Sequence, residues 1–91
     1  RVIDVVATYY GLRAKDLIGP SRQRQVTRAR HVAMFLVRHH LSRSLPEIGR
    51  AFGDRDHTTV LASVTKIAAM RESDAGIQAV LTRLSQSLFG G

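Results

Sequence analysis

Ser44-Leu45-Pro46-Glu47-Ile48-Gly49-Arg50-Ala51-Phe52-Gly53-Asp54-Arg55-Asp56-His57-Thr58-Thr59-Val60-Leu61 is the stretch on which the fold turns. Serine followed three residues later by glutamate is a capping-box spacing: the hydroxyl accepts from the amide at Glu47 and the carboxylate reaches back to the amide of Ser44. Pro46 sits early in the first turn and gives up a donor that has no intrahelical partner there. A helix is therefore expected to start here and run to about residue 52, with Ile48, Ala51 and Phe52 on its buried side and Gly49 small enough for a close crossing. Gly53 interrupts it, Asp54 or Asp56 supplies a new cap, and Val60, Leu61, Val64, Ile67 and Ala68 resume the helical period. A short helix, a glycine turn and a longer helix predict a helix-turn-helix.

The flanks read as helices too. Upstream, residues 25–41 carry Val26, Ala29, Val32, Ala33, Leu36 and Val37 on one arc and Arg28, His31 and Arg38 on the other. Phe35 falls among those cations, either as a second packing contact or as an apolar touch on a sugar or a thymine methyl. Gly19-Pro20 breaks the chain before this helix, a short helical piece fits residues 13–18, and Val2, Val5, Val6 and Tyr9 form a first helix ending at Gly11. Downstream, Ser73 or Asp74 caps a last helix with Ile77, Val80, Leu81, Leu84 and Leu88 in one stripe, and Gly90-Gly91 ends it. His39 and His40 are adjacent and point in different directions on a helix, so one is expected to be buried or polar-paired and the other solvated.

With 91 residues and 44% apolar content, one core and one domain spanning 1–91 are expected. Few prolines and aromatics argue against a sandwich or barrel. The fold class is all-α, a compact bundle of about six helices. No cysteine is present, which excludes disulfides and the common structural zinc sites. No apolar run approaches bilayer-spanning length and no signal-peptide pattern opens the chain, so a soluble protein with no membrane partner is expected. The start at Arg1, directly on a helical pattern, suggests a piece of a longer chain.

Charge narrows the class of partner. The formal net charge is +7, with twelve arginines against two lysines. No acid occurs between Asp16 and Glu47, where Arg22, Arg24, Arg28, Arg30, Arg38 and Arg43 all fall. Such one-sided charge repels itself in the folded state and points to a polyanion. Arginine's planar fork suits phosphates and base edges. At the presumed second helix of the helix-turn-helix, the end inserted into a major groove, Asp56 can accept from a cytosine amino group. There Thr58 offers a hydroxyl and a methyl, and His57 a donor, an acceptor and a flat ring. The plainer alternative is that one aspartate only caps and the threonines only satisfy the first turn. One cap needs one such residue, and here several cluster beside Arg55.

The run Ile48-Gly49-Arg50-Ala51-Phe52-Gly53-Asp54-Arg55-Asp56-His57-Thr58-Thr59-Val60-Leu61-Ala62, followed by Lys66-Ile67, resembles the signature of the C-terminal DNA-binding domain of the DnaA family of bacterial replication initiators. The similarity extends over essentially the whole chain, including Tyr9-Tyr10 and the arginine-rich segment. It implies a Trp-repressor-like helix-turn-helix fold and binding to the A·T-rich DnaA box, typified by TTATCCACA, at the replication origin in the bacterial cytoplasm. By that resemblance, Asp56, His57 and Thr58 read bases, Thr59 meets the backbone or a neighbouring base, Arg22 enters the minor groove and Arg30 is a second major-groove reader. Leu45 and Pro46 correspond to a phosphate contact at a helix start, and Arg24, Arg38 and Lys66 stand where backbone-contacting cations are expected. His31 replaces a common glutamine, which alters a base or phosphate contact, and Asp54 stands where many members have glycine or no residue, which leaves the turn geometry open. For Arg22 physics agrees independently: a segment after Gly19-Pro20 can follow the backbone, and a narrow A·T minor groove draws arginine in.

Three other readings compete. A repressor or phage protein could carry the same domain. A nuclease could use His57 with Asp54 and Asp56 around a metal, although two aspartates and one histidine are too few ligands. A protein-interaction module would expose the stripe on the last helix. No phosphate-binding loop occurs, so no nucleotide, other cofactor or small-molecule substrate is expected in these residues, and the partners are double-stranded DNA and other copies of the full-length protein on adjacent boxes.

Overall fold

Val2, Val6 and Ala7 fall on one side of a short helix and bury together, and this pattern repeats along the chain. The computed structural model describes residues 1–90, in which the regular elements are α1 (Val2–Tyr9), α2 (Ala14–Ile18), α3 (Arg24–Leu41), α4 (Leu45–Ala51), α5 (His57–Ser73) and α6 (Ala75–Phe89). The protein is all-α, as expected, with a helix-turn-helix formed by α4 and α5. Gly91, read as part of the final stop, lies outside the described residues.

α3 is the central element, packing against each of the other five helices. It supplies Val26, Ala29, Val32, Ala33, Met34, Phe35 and Leu36 to a core completed by Leu17, Ile48, Phe52, Val60, Ile67, Ile77, Leu81 and Leu84. Each fully buried large side chain contributes about 1.5–3 kcal/mol relative to exposure. The stripe on α6 is therefore core, with Ile77, Leu81 and Leu84 buried and Val80 half-buried. Phe35 also resolves to packing: it is buried, His39 stacks on it at 5.4 Å, and the Arg71 guanidinium lies 5.2 Å from its centroid. His39 and His40 are both exposed, and His40 Nε2 lies 3.0 Å from Ser85 Oγ.

The start of α4 has the anticipated reciprocal cap: Glu47 N donates to Ser44 Oγ at 3.2 Å and Ser44 N to Glu47 Oε1 at 2.9 Å. Of the two candidate caps for α5, Asp56 takes the role, its Oδ2 accepting from Thr58 N at 3.0 Å. Asp54 instead lies within the turn at φ +58°, following Gly53 at φ +82°. Two left-handed residues in succession reverse the chain, and aspartate is among the few non-glycine residues that tolerate that region. Arg55 N then donates to Gly49 O at 2.8 Å, folding the turn back onto α4. This approach explains Gly49, since a Cβ there would collide with the Arg55 carbonyl oxygen.

Leu61 departs from the expected pattern. It is 50% exposed, while Val60, Ser63 and Ile67 form the buried side of α5. At 100° per residue Leu61 lies on the arc of His57 and Thr58, and so faces outward.

Candidate nucleic-acid interface

Two helix termini and one loop build the cationic face. The N-terminal half of α3 carries Arg24, Thr27, Arg28 and His31 at helical spacing, the preceding loop carries Arg22, and α5 runs alongside with Thr59 and Lys66. Arg22, Thr27, Arg30, His31, Arg55 and Thr59 line one open cleft, and Arg22, Arg24, Thr27, Arg28, His31 and Lys66 line an adjoining one. No carboxylate lines either cleft. Among the described residues the one acid–base contact of salt-bridge length is His57 Nδ1 to Asp56 Oδ1 at 3.7 Å. The arginines of this face are thus not neutralised by neighbouring acids, and their field is open to an external anion.

His31 is half-buried in that field. Burial, then Lys66, Arg30, Arg28 and Arg55 in decreasing order, hold its pKa below the usual histidine value. Near neutral pH it is an uncharged hydrogen-bonding group among cations.

At the tip of α5, His57, Thr58 and Thr59 are all exposed. Thr58 donates its hydroxyl to Asp56 Oδ2, which lowers the Asp56 pKa together with the backbone amide of Thr58. Asp56 therefore both caps the helix and remains exposed, with Oδ1 turned toward His57. Arg38, Leu45 and Pro46 line neither cleft; Arg38 is exposed and donates Nη1 to Arg43 O at 2.8 Å, bracing the entry to α4. Leu45 is half-buried and Pro46 exposed at the start of that helix.

Arg30 is held differently from the exposed cations of this face. Expected as a base reader, it is only 5% exposed, and its guanidinium is directed inward. Nε donates to Leu17 O at 2.7 Å, and Nη2 to Gly19 O and Ser21 O at 3.0 Å each. Burial and the neighbouring Arg55 lower its pKa. The segment after α2 folds over it and takes up Nε and Nη2, while the residue still borders the open cleft beside Arg22.

Arg28, read from the sequence as part of the cationic arc, lines the second cleft, and Leu61 is exposed near the tip of α5. Arg28 stands four residues after Arg24 and three before His31, so the helical spacing of the cations was the available signal. Leu61 carried no such signal, because its place in the apolar period suits the core equally well. Among the described residues no three His, Asp or Glu side chains gather as a group able to hold a metal ion, and no helix is long and apolar enough to cross a membrane.

Comparison with known proteins agrees with this architecture. The family described as bacterial dnaA protein helix-turn-helix matches residues 1–67, which take in α1 to α4 and most of α5. The chain is 44% identical over 87 residues to the chromosomal replication initiator protein DnaA of Synechocystis sp., covering 96% of this chain and 20% of that protein. It is 48% identical over 83 residues to the DnaA of a Ruegeria species, covering 91% of this chain and 18% of that protein. With the DnaA of Thermus thermophilus the identity is 43% over 86 residues, covering 94% and 20% respectively. The chain thus spans about a fifth of the length of these curated relatives. On the match to its first 67 residues and on these identities, the chain belongs to the bacterial dnaA protein helix-turn-helix family.

Proposed function

We propose that this chain binds double-stranded DNA sequence-specifically at DnaA boxes of the TTATCCACA type and so serves the initiation and regulation of chromosome replication. The observation that carries this is the carboxylate-free cationic face lying beside the exposed start of α5. In a complex, the start of α5 enters the major groove, where Asp56, His57 and Thr58 meet base edges and Thr59 the backbone or a neighbouring base. Arg22, exposed on the loop before α3, enters the adjacent minor groove. Arg24, His31, Arg38, Lys66 and the Leu45-Pro46 helix start contact phosphates, which position the protein without carrying sequence information. With this reading go a single domain, no cofactor or reaction of its own, a place on the nucleoid in the bacterial cytoplasm, and further copies on neighbouring boxes.

The test is a binding titration on a box duplex and a scrambled duplex across a salt series. Roughly five or six neutralised phosphates give log affinity against log salt a slope of about −5, with the box preferred at every salt concentration. A slope near zero, or equal binding of both duplexes, overturns the proposal.

A further inference from the structure

Arg30 and Arg55 are two guanidinium groups that meet no carboxylate among the described residues. Their partners are carbonyl oxygens, all but one of them in a single stretch. Arg30 holds Leu17 O at 2.7 Å, Gly19 O and Ser21 O at 3.0 Å and Asp16 O at 3.3 Å. Arg55 holds Ile18 O at 3.0 Å, Gly19 O at 2.6 Å and, on its own turn, Phe52 O. The cause is local: α2 has five residues, so its last carbonyls have no intrahelical donors, and a cation there also meets the negative end of the helix dipole. Gly53 completes the junction, since a Cβ at that position would strike the Ile18 carbonyl oxygen. Backbone therefore meets backbone between the segment leading to Arg22 and the turn leading to α5.

We propose that Arg30 and Arg55 are positioning residues that clamp residues 16–21 onto the α4–α5 turn and so fix Arg22 relative to the tip of α5. The proposal rests on the DNA binding argued above. Held this way, the minor-groove arm and the major-groove helix form one reading head of constant spacing rather than a rigid helix with a loose arm. Lysine keeps the charge but, as a compact point donor, cannot span carbonyls from Leu17 to Ser21 as a planar fork does.

The experiment uses Arg30→Lys and Arg55→Lys with two modified boxes. Replacing adenine by 2,6-diaminopurine in the A·T-rich part adds an amino group to the minor groove and leaves the major-groove pattern intact, whereas replacing thymine by uracil removes only a major-groove methyl. Wild type should lose about tenfold in affinity on each modified box, and Arg22→Ala should be indifferent to diaminopurine. In both lysine variants the diaminopurine loss should shrink to within about threefold while the uracil loss persists, with folding checked by thermal melting. If the two losses shrink together, or neither changes, the clamp has no positioning role. If wild type responds to neither box, the groove assignments on which the clamp rests fail; if it does not prefer the natural box to a scrambled duplex, the DNA-binding proposal itself fails. Should Arg30→Lys not fold, Arg55→Lys decides by the same ratio. Independently, backbone order parameters in the free wild-type protein should be helix-like, about 0.85, at residues 19–22; values below about 0.6 overturn the clamp.

Discussion

α5 and α6 both begin at an aspartate whose carboxylate accepts an amide of the first turn, Asp56 from Thr58 at 3.0 Å and Asp74 from Ile77 at 3.1 Å, yet the residues after each cap are deployed differently. After Asp56 come exposed His57, Thr58 and Thr59 beside a cleft lined by cations. After Asp74 come Ala75 and Gly76, then Ile77 turned into the core, while Gln78 Nε2 donates back to Arg71 O at 2.6 Å and closes the corner with α5. Capping chemistry is common to both helix starts. What distinguishes a recognition end from a structural one is the set of side chains beyond the cap and the charge around them.

The largest effect that could sharpen this contrast lies in the glycines. Gly49→Ala should cost about 3 kcal/mol in urea unfolding, because its Cβ meets a backbone carbonyl that cannot move aside without shifting α5. Gly76→Ala, whose Cβ approaches only the Asp74 carboxylate at 3.2 Å, should change stability by less than about 1 kcal/mol. Equal costs would mean that the α4–α5 crossing is no tighter than the α5–α6 corner.

His57→Ala or Thr58→Ala should lose about 1–3 kcal/mol in binding to a box duplex and flatten discrimination against altered boxes, with Gln78→Ala as an inert control in the same titration. Loss of binding in Gln78→Ala would break the contrast. Next come the caps themselves: Asp56→Ala and Asp74→Ala should each lower stability through the lost first-turn acceptor, and only the first should change DNA affinity. The Asp56 carboxyl is held below its usual pKa by the Thr58 hydroxyl and amide, so its capping contribution is present above the unfolded carboxylate pKa and lost as pH falls through the lower folded value.

His31 gives the smallest effect. Its folded pKa is depressed, so as pH falls below the unfolded histidine value the unfolded chain takes up the proton first and stability declines. His31→Gln should flatten that part of a stability–pH curve and leave the carboxylate part unchanged, as followed by chemical denaturation from pH 7 to pH 5.

Most of the fold was legible because caps and period agreed. Ser44, Pro46 and Glu47 announced α4, and the Gly53 interruption announced the turn. The roles of single side chains were less legible where two helix faces compete or where a distant segment intervenes. Leu61 continues the apolar run after Val60, but it lies on the arc of His57 and Thr58 and faces outward. Arg30 belongs to a basic run and the family resemblance alone placed it on the recognition face; at 100° per residue it falls beside Val26 and Val37 on the buried arc of α3, and carbonyls nine to fourteen residues earlier in the chain hold its guanidinium. Between Asp54 and Asp56 the cap was undecidable from pattern, since both precede a helical period and only backbone geometry separates them. Arg22, Arg24 and Lys66 line one cleft together.

The turn between α4 and α5 is fastened largely by main-chain atoms: the Arg55 amide on the Gly49 carbonyl, and a glycine where any side chain would collide. His57 and Leu61, both exposed, therefore carry little folding duty. Such a division makes the helix tip evolvable: libraries randomised at these two positions should yield mostly folded members with shifted sequence preferences, so new target sites become reachable by single steps without passing through an unfolded ancestor.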